Sequence, residues 1–181
     1  MSGLSSGLMS LYERPAKRKV FISYHHGGDQ VYYNSFSNTF HDQYEVIYDN
    51  SLERQIDSDN TDYVMRRIRE NYITGSSCTI VLVGGQTYLR KYVDWELEAT
   101  LDAQHSLIGI RLPSAPVNSQ GQTIVPDRLY DNIQSGYALW TSWSELANGT
   151  VRLNSLIEQA NLRDRRLINN LRARRLRNGY L

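Results

Sequence analysis

Short apolar runs alternate with longer amphipathic stretches along most of this chain. Val20-Phe21-Ile22-Ser23-Tyr24 reads as a compact strand, closed by the turn residues His25-His26-Gly27-Gly28-Asp29. From Val31, apolar positions recur at Tyr32, Phe36 and Phe40, the spacing of a helix with one buried face. Tyr44 to Asp49 predicts a second strand, and the polar segment Asn50 to Asn60 separates it from another helix. Asp59 or Asn60 suits the cap of that helix, and Val64, Ile68 and Tyr72 form its inward stripe. Gly75-Ser76-Ser77 breaks it, and the apolar run Cys78 to Val83 predicts a buried strand. A helix bearing Tyr92 and Glu96 follows, with Val93, Leu97 and Leu101 inward and an end near Gln104. Ser106 to Leu112 predicts a fourth strand, after which Pro113 and Pro116 open a polar loop through Gly121. A short strand around Ala138-Leu139-Trp140 and a long helix after Asn148-Gly149 complete the pattern.

Strands alternating with helices in this way predict a parallel sheet with helices on both faces. The β-α succession leaves no place for a domain boundary. The expected division is a Gly/Ser-rich flexible leader over residues 1–17, one α/β domain over 18–147, and an arginine-rich C-terminal helix over 148–181. That helix would carry Leu153, Leu156, Ile157, Ala160, Leu167, Ile168 and Leu171 on one stripe. Opposite them lie Arg163, Arg165, Arg166, Arg172, Arg174, Arg175 and Arg177, either a solvated face or a docking surface for assembly or a partner.

Composition narrows the class. The chain has 181 residues, 40% hydrophobic and 22% charged, with a formal net charge of +1, which suits one soluble domain and argues against a nucleic-acid coat. Cys78 is the single cysteine, so no intrachain disulfide is available and a reducing compartment is expected. Residues 1–10 lack the pattern of a signal peptide, and no apolar run approaches the ~20 residues of a membrane span. The expected location is cytoplasmic.

Candidate chemistry gathers after the third strand. Tyr92 and Glu96 stand four apart and share a helix face. They follow the strand's C-terminal edge, where open α/β sheets hold ligands. Ser23, Tyr24, His25 and His26 end the first strand at the same edge. A metal site from His25, His26, Asp29 and His41 lacks the spacing of known sites and is set aside. Asp57-Ser58-Asp59-Asn60 lacks the glycine and glutamate of a calcium loop, so helix capping is preferred. Gly84-Gly85 is no dinucleotide fingerprint, and no phosphate-binding glycine loop is present.

These residues carry a resemblance. Val20 to Tyr24 resembles the first-strand signature of TIR domains. The order of Tyr44 to Asp49, a polar loop, Cys78 to Val83, Tyr92 to Glu96 and Leu107 to Leu112 is similar to the TIR succession of second strand, BB loop, third strand, catalytic helix and fourth strand. The resemblance spans about Lys19 to Ala147 and points to the TIR-like proteins of the bacterial Thoeris anti-phage system. It implies a flavodoxin-like, three-layer α/β fold with five parallel strands. It also implies an NAD+ glycohydrolase or cyclase that makes an ADP-ribose-type, cyclic signal. Glu96 would be the catalytic carboxylate, and Ser23, Tyr24, His25, Asp49 and Tyr92 the substrate-binding residues. Tyr92 departs from the tryptophan usual at its position, though a phenol ring can still stack on nicotinamide. NAD+ would be the substrate, with no cofactor and no metal. The implied partners are further copies of the chain in an oligomer or filament, a phage-derived activator, and an effector that reads the nucleotide signal. A non-catalytic TIR scaffold and a nucleoside deoxyribosyltransferase-like enzyme are the rival readings.

Overall fold

Five apolar runs become the strands β1 (Arg18–Ser23), β2 (Tyr44–Ile47), β3 (Cys78–Val83), β4 (Ser106–Arg111) and β5 (Leu139–Ser142). The structure is a computed structural model and describes residues 17–47 and 60–179. All strand pairings are parallel, in the order β2-β1-β3-β4-β5. β3 is central and buried at every position, which is why it reads as an unbroken apolar run and not as an alternating one.

The helices are α1 (His26–Phe40), α2 (Thr61–Ile68), α3 (Lys91–Asp102), α4 (Asp127–Gln134) and α5 (Thr150–Asn161). Side chains that alternate along each strand divide the core between two faces. Val20, Ile22, Ile80, Leu82, Ile108 and Ile110 pack with Tyr33, Phe36 and Phe40 of α1 and with Leu153, Leu156, Ile157 and Ala160 of α5. On the other face Phe21 packs with Val64, Met65 and Ile68 of α2 and with Trp95 and Ala99 of α3, while Val81, Val83 and Leu107 meet Val93, Leu97 and Leu101 of α3 and Leu129 of α4. Each fully buried Leu or Ile contributes about 1.5–3 kcal/mol. The fold is the flavodoxin-like, three-layer α/β arrangement. Cys78 sits inside it, 0% exposed, and burial pushes its thiol up to about 12, so it is an inert core residue.

Local choices explain most boundaries. Asn60 caps α2, its side-chain oxygen accepting from the Tyr63 N–H at 3.0 Å. A wide π-type turn over Arg69–Ile73 follows and keeps Tyr72 and Ile73 buried. Gly109 lies under Trp140, where a Cβ would stand 2.6 Å from the indole Cε3, so β4 needs glycine there for β5 to close onto it.

Three expectations are corrected. His26 to Asp29 do not form a turn; they are the first turn of α1, whose N-cap is His25. Between the polar loop expected through Gly121 and the strand expected around Leu139 stands a helix the sequence pattern does not predict, α4. The C-terminal helix ends at Asn161 instead of running on through the arginines. A 3-10 turn over Arg165–Leu167 follows, capped by Asp164, and 168–179 continues without regular secondary structure. Ile168 still packs against the core, but Leu171 is 94% exposed, so the expected apolar stripe does not reach it. Residues 1–16 of the expected leader, Tyr48 and Asp49 of the expected second strand, and the Asn50 to Asp59 part of the polar segment lie outside the described residues.

Candidate active site

The strand order reverses between β1 and β3: the chain leaves β1 toward β2 on one side and returns to β3 on the other. In open parallel sheets the crevice beyond the strand ends at such a point is where ligands bind. Ser23 is the last residue of β1 and pairs with Val81 of β3. Its hydroxyl donates to Glu96 Oε2 at 2.6 Å, a short O–H···O hydrogen bond. Both residues are buried, Ser23 at 0% and Glu96 at 2% exposure.

Position on α3 decides what each neighbour of Glu96 does. Val93, Leu97 and Leu101 fill the core on one flank, and Trp95 and Ala99 pack toward α2 on the other. Glu96 and Thr100 face the sheet between them. Thr100 Oγ1 donates to the Glu96 carbonyl at 2.8 Å and lies 2.8 Å from Thr79 Oγ1 of β3, which pins the helix to the strand behind the carboxylate.

The loop from β3 to α3 is fixed by a residue from α1. Asp29, 1% exposed, accepts from Thr87 Oγ1 at 3.2 Å and from Ser114 Oγ at 3.4 Å, while Thr87 Oγ1 accepts from the Gly84 N–H at 2.8 Å. A Cβ on Gly84 would lie 2.0 Å from Asp29 Oδ1, so this approach requires glycine. Burial holds the Asp29 carboxyl above its ordinary value, with the Thr87 hydrogen bond pulling the other way. The sequence shows the glycine pair but not the carboxylate that needs it.

The expected site residues separate into groups. Ser23 and Glu96 are brought together. Tyr92, one turn before Glu96, is half-buried, meets Trp95 edge to face at 5.3 Å and lies beneath the Lys91 ammonium at 4.9 Å. Tyr24 points to the opposite face of the sheet from Ser23. It stacks on Tyr33 at 4.7 Å, and its hydroxyl donates to Gln30 Oε1 and lies 3.0 Å from His26 Nδ1. His25 stands at the α1 N-cap, half-buried, with its ring against Gly27. Among the described residues no group of His, Cys, Asp or Glu is arranged to hold a metal ion.

A family model described as Thoeris protein ThsB, TIR-like domain, matches residues 21–116, just over half of the 181-residue chain. The chain belongs to this TIR-like domain family. No curated protein matches it. The family match includes Ser23, Asp29, Gly84, Tyr92 and Glu96 and ends before α4, β5, α5 and the C-terminal segment. No helix among the described residues of the TIR-like domain is long and apolar enough to cross a membrane.

Sequence reasoning missed Arg128. It is 0% exposed on α4, and its guanidinium donates through Nε to Asp94 Oδ1 at 2.9 Å and through Nη1 to Asn170 Oδ1 at 2.6 Å. Its Nη2 donates to the Arg172 carbonyl at 3.0 Å. Of the seven arginines expected on a solvated or docking face, Arg172 and Arg174 turn back onto the domain, while Arg163, Arg166 and Arg177 are exposed. Arg172 forks onto Asp131 at 2.8 and 2.9 Å, and Arg174 forks onto Glu98 at 2.8 and 2.7 Å. The Arg174 hydrogen bonds hold the Glu98 carboxyl below its ordinary 4.5. A carboxyl that titrates lower when folded stabilises the fold fully above that ordinary value and loses its contribution as pH falls through the folded one.

Proposed function

We propose that this TIR-like domain cleaves the bond between nicotinamide and ribose in NAD+, acting as a glycohydrolase or cyclase that makes an ADP-ribose-type signal in Thoeris anti-phage defence. The observation that carries this reading is a carboxylate, Glu96, oriented by the β1 terminal hydroxyl of Ser23 at the β1/β3 crevice of a sheet whose family is that of ThsB. Nicotinamide in NAD+ is already a cationic leaving group. When its bond to C1′ of the ribose breaks, the electron pair leaves with the ring and no general acid is needed. What remains is an oxocarbenium-like ribose, and a fixed carboxylate stabilises it as in glycoside hydrolysis. Water adding to C1′ gives ADP-ribose, and an oxygen of the same ADP-ribose gives a cyclic product; in either case the attacking oxygen loses its proton to solvent or to Glu96. NAD+ enters as substrate.

Glu96 is only 2% exposed, so a substrate reaches it after part of its enclosure moves. This supports turnover gated by self-association or by an infection cue, so NAD+ loss rises more steeply than linearly with protein concentration or appears on addition of a phage component. The deciding experiment incubates the protein with NAD+ and, separately, with deoxynucleosides, each with and without such activation. NAD+ loss with release of nicotinamide supports the reading. Transfer among deoxynucleosides, or silence under every condition, sinks it in favour of a transferase or a scaffold.

Two substitutions refine the roles. Ser23→Ala removes the hydroxyl that orients Glu96 and should lower turnover by roughly fivefold, about one hydrogen bond's worth; an unchanged rate would mean that the carboxylate is held by other groups. Tyr92→Phe and Tyr92→Trp should stay active and Tyr92→Ala should be badly impaired if the ring stacks on nicotinamide. Because Tyr92 also packs on Trp95, the Ala variant is judged at equal folded fraction by circular dichroism. Equal rates for Ala and Phe would remove the ring from the site.

A further inference from the structure

We propose that the segment 169–179 is a positioning strap for α3, gripping this helix on the side opposite Glu96 and so setting where the carboxylate stands. The proposal rests on the reading of Glu96 as the reacting carboxylate, and its subject is a part of the chain beyond the family match.

The contacts follow one stripe of the helix. Asn170 Nδ2 donates to Asp102 Oδ1 at 2.8 Å and to the Glu98 carbonyl at 3.2 Å. Arg174 forks onto the Glu98 carboxylate. Both backbone groups of Arg175 are used: its N–H donates to Asp94 Oδ2 at 2.8 Å, and its carbonyl accepts from Trp95 Nε1 at 2.6 Å. Asn178 then takes the exposed end of the helix. The N-cap residue Arg90 makes no side-chain cap, and Asn178 Oδ1, from far along the chain, accepts the Lys91 N–H at 2.9 Å. Gly179 closes the strap on the loop before α3, its N–H donating to the Leu89 carbonyl at 2.8 Å, and a Cβ there would lie 2.6 Å from Leu89 Cδ2.

At about 100° per residue, positions 91, 94, 95, 98 and 102 share one side of the helix, and Glu96 lies roughly 150° around from its centre. The front of α3 meets β1 through the Ser23 hydroxyl, and the back is held by the strap. A short helix whose N-terminus is satisfied by a distant side chain can shift or fray when that chain segment lifts. Such a movement acts on Glu96 without any strap residue touching the substrate. The strap alternates over 171–174: Arg172 and Arg174 turn onto the acids of α4 and α3, while Leu171 and Ala173 face outward.

The test uses the full chain. In the double variant Arg174→Gln/Asn178→Ala, amide hydrogen exchange over residues 91–102 should speed up by about tenfold, while that of β3 over 78–83 stays within about twofold of the unsubstituted protein. NAD+ cleavage by the same variant should lose roughly five- to tenfold in kcat with KM within about twofold, the signature of a displaced reacting group. Asn178→Asp keeps an oxygen for the Lys91 N–H and, paired with intact Arg174, should restore both readouts. Unchanged exchange in 91–102, or exchange rising equally in β3, overturns the proposal, since the strap would then be passive or merely a part of global stability. If the unsubstituted protein fails to cleave NAD+ under activating conditions, the functional reading fails, and the exchange measurements alone still decide whether the strap positions α3.

Discussion

Glu96→Gln is expected to lower NAD+ turnover by at least ~100-fold, roughly 3 kcal/mol of barrier, while leaving the chain folded. The substitution keeps size and an acceptor oxygen, so the Ser23 hydroxyl still has a partner at the end of β1. In the proposed mechanism it removes the negative charge that faces the ribose as positive charge develops there. In an enclosed site that charge acts with little solvent screening, which is why a single carboxylate can carry so large a share of the effect. Nicotinamide release is followed under activating conditions, with thermal melting as the check on folding. Undiminished turnover in a folded Glu96→Gln protein would sink the assignment. It would also return the chain to the scaffold reading, in which Glu96 is a buried polar residue satisfied by Ser23.

The parts of this architecture legible in the sequence are those whose inward faces are apolar. β1, β3 and β4 read as strands because their side chains are buried on both faces of a parallel sheet. α3 was found because Val93, Leu97 and Leu101 recur at helical spacing. α4 does not read as a helix, because its inward positions include Arg128 and Asn132, both 0% exposed, and a largely polar inward face leaves only Leu129 and the partly buried Ile133 to signal burial. The C-terminal segment misled in the opposite direction. Leu167, Ile168 and Leu171 have helical spacing, yet Arg172 and Arg174 gain more specific partners on α3 and α4 when the chain is extended. The separation of Ser23 from Tyr24 was readable in principle, since adjacent strand residues face opposite sides of a sheet. Asp29 was hidden because its importance comes from a glycine more than fifty residues away.

Removing Arg128 should produce the largest loss of stability of any single substitution considered for this chain. Arg128→Met leaves Asp94, itself 7% exposed, without its ionic partner, and it strips donors from the Arg172 carbonyl and from Asn170. Breaking a buried pair from one side costs about 3–5 kcal/mol, because the remaining charge cannot be rehydrated. For a chain of this size that corresponds to a fall in Tm on the order of 10 °C. The exposed fork between Arg172 and Asp131 provides the comparison: its arginine side chain is 43% exposed, and Arg172→Gln should cost no more than about 1 kcal/mol. Denaturant unfolding of the two variants beside the unsubstituted protein gives the difference directly. Asp94→Asn should fall between them, since it retains an oxygen for the Arg175 N–H while discharging the pair. If Arg128→Met is no more damaging than Arg172→Gln, Arg128 is not the junction through which α3, α4 and the strap are held, and the ordering of those three elements has another source.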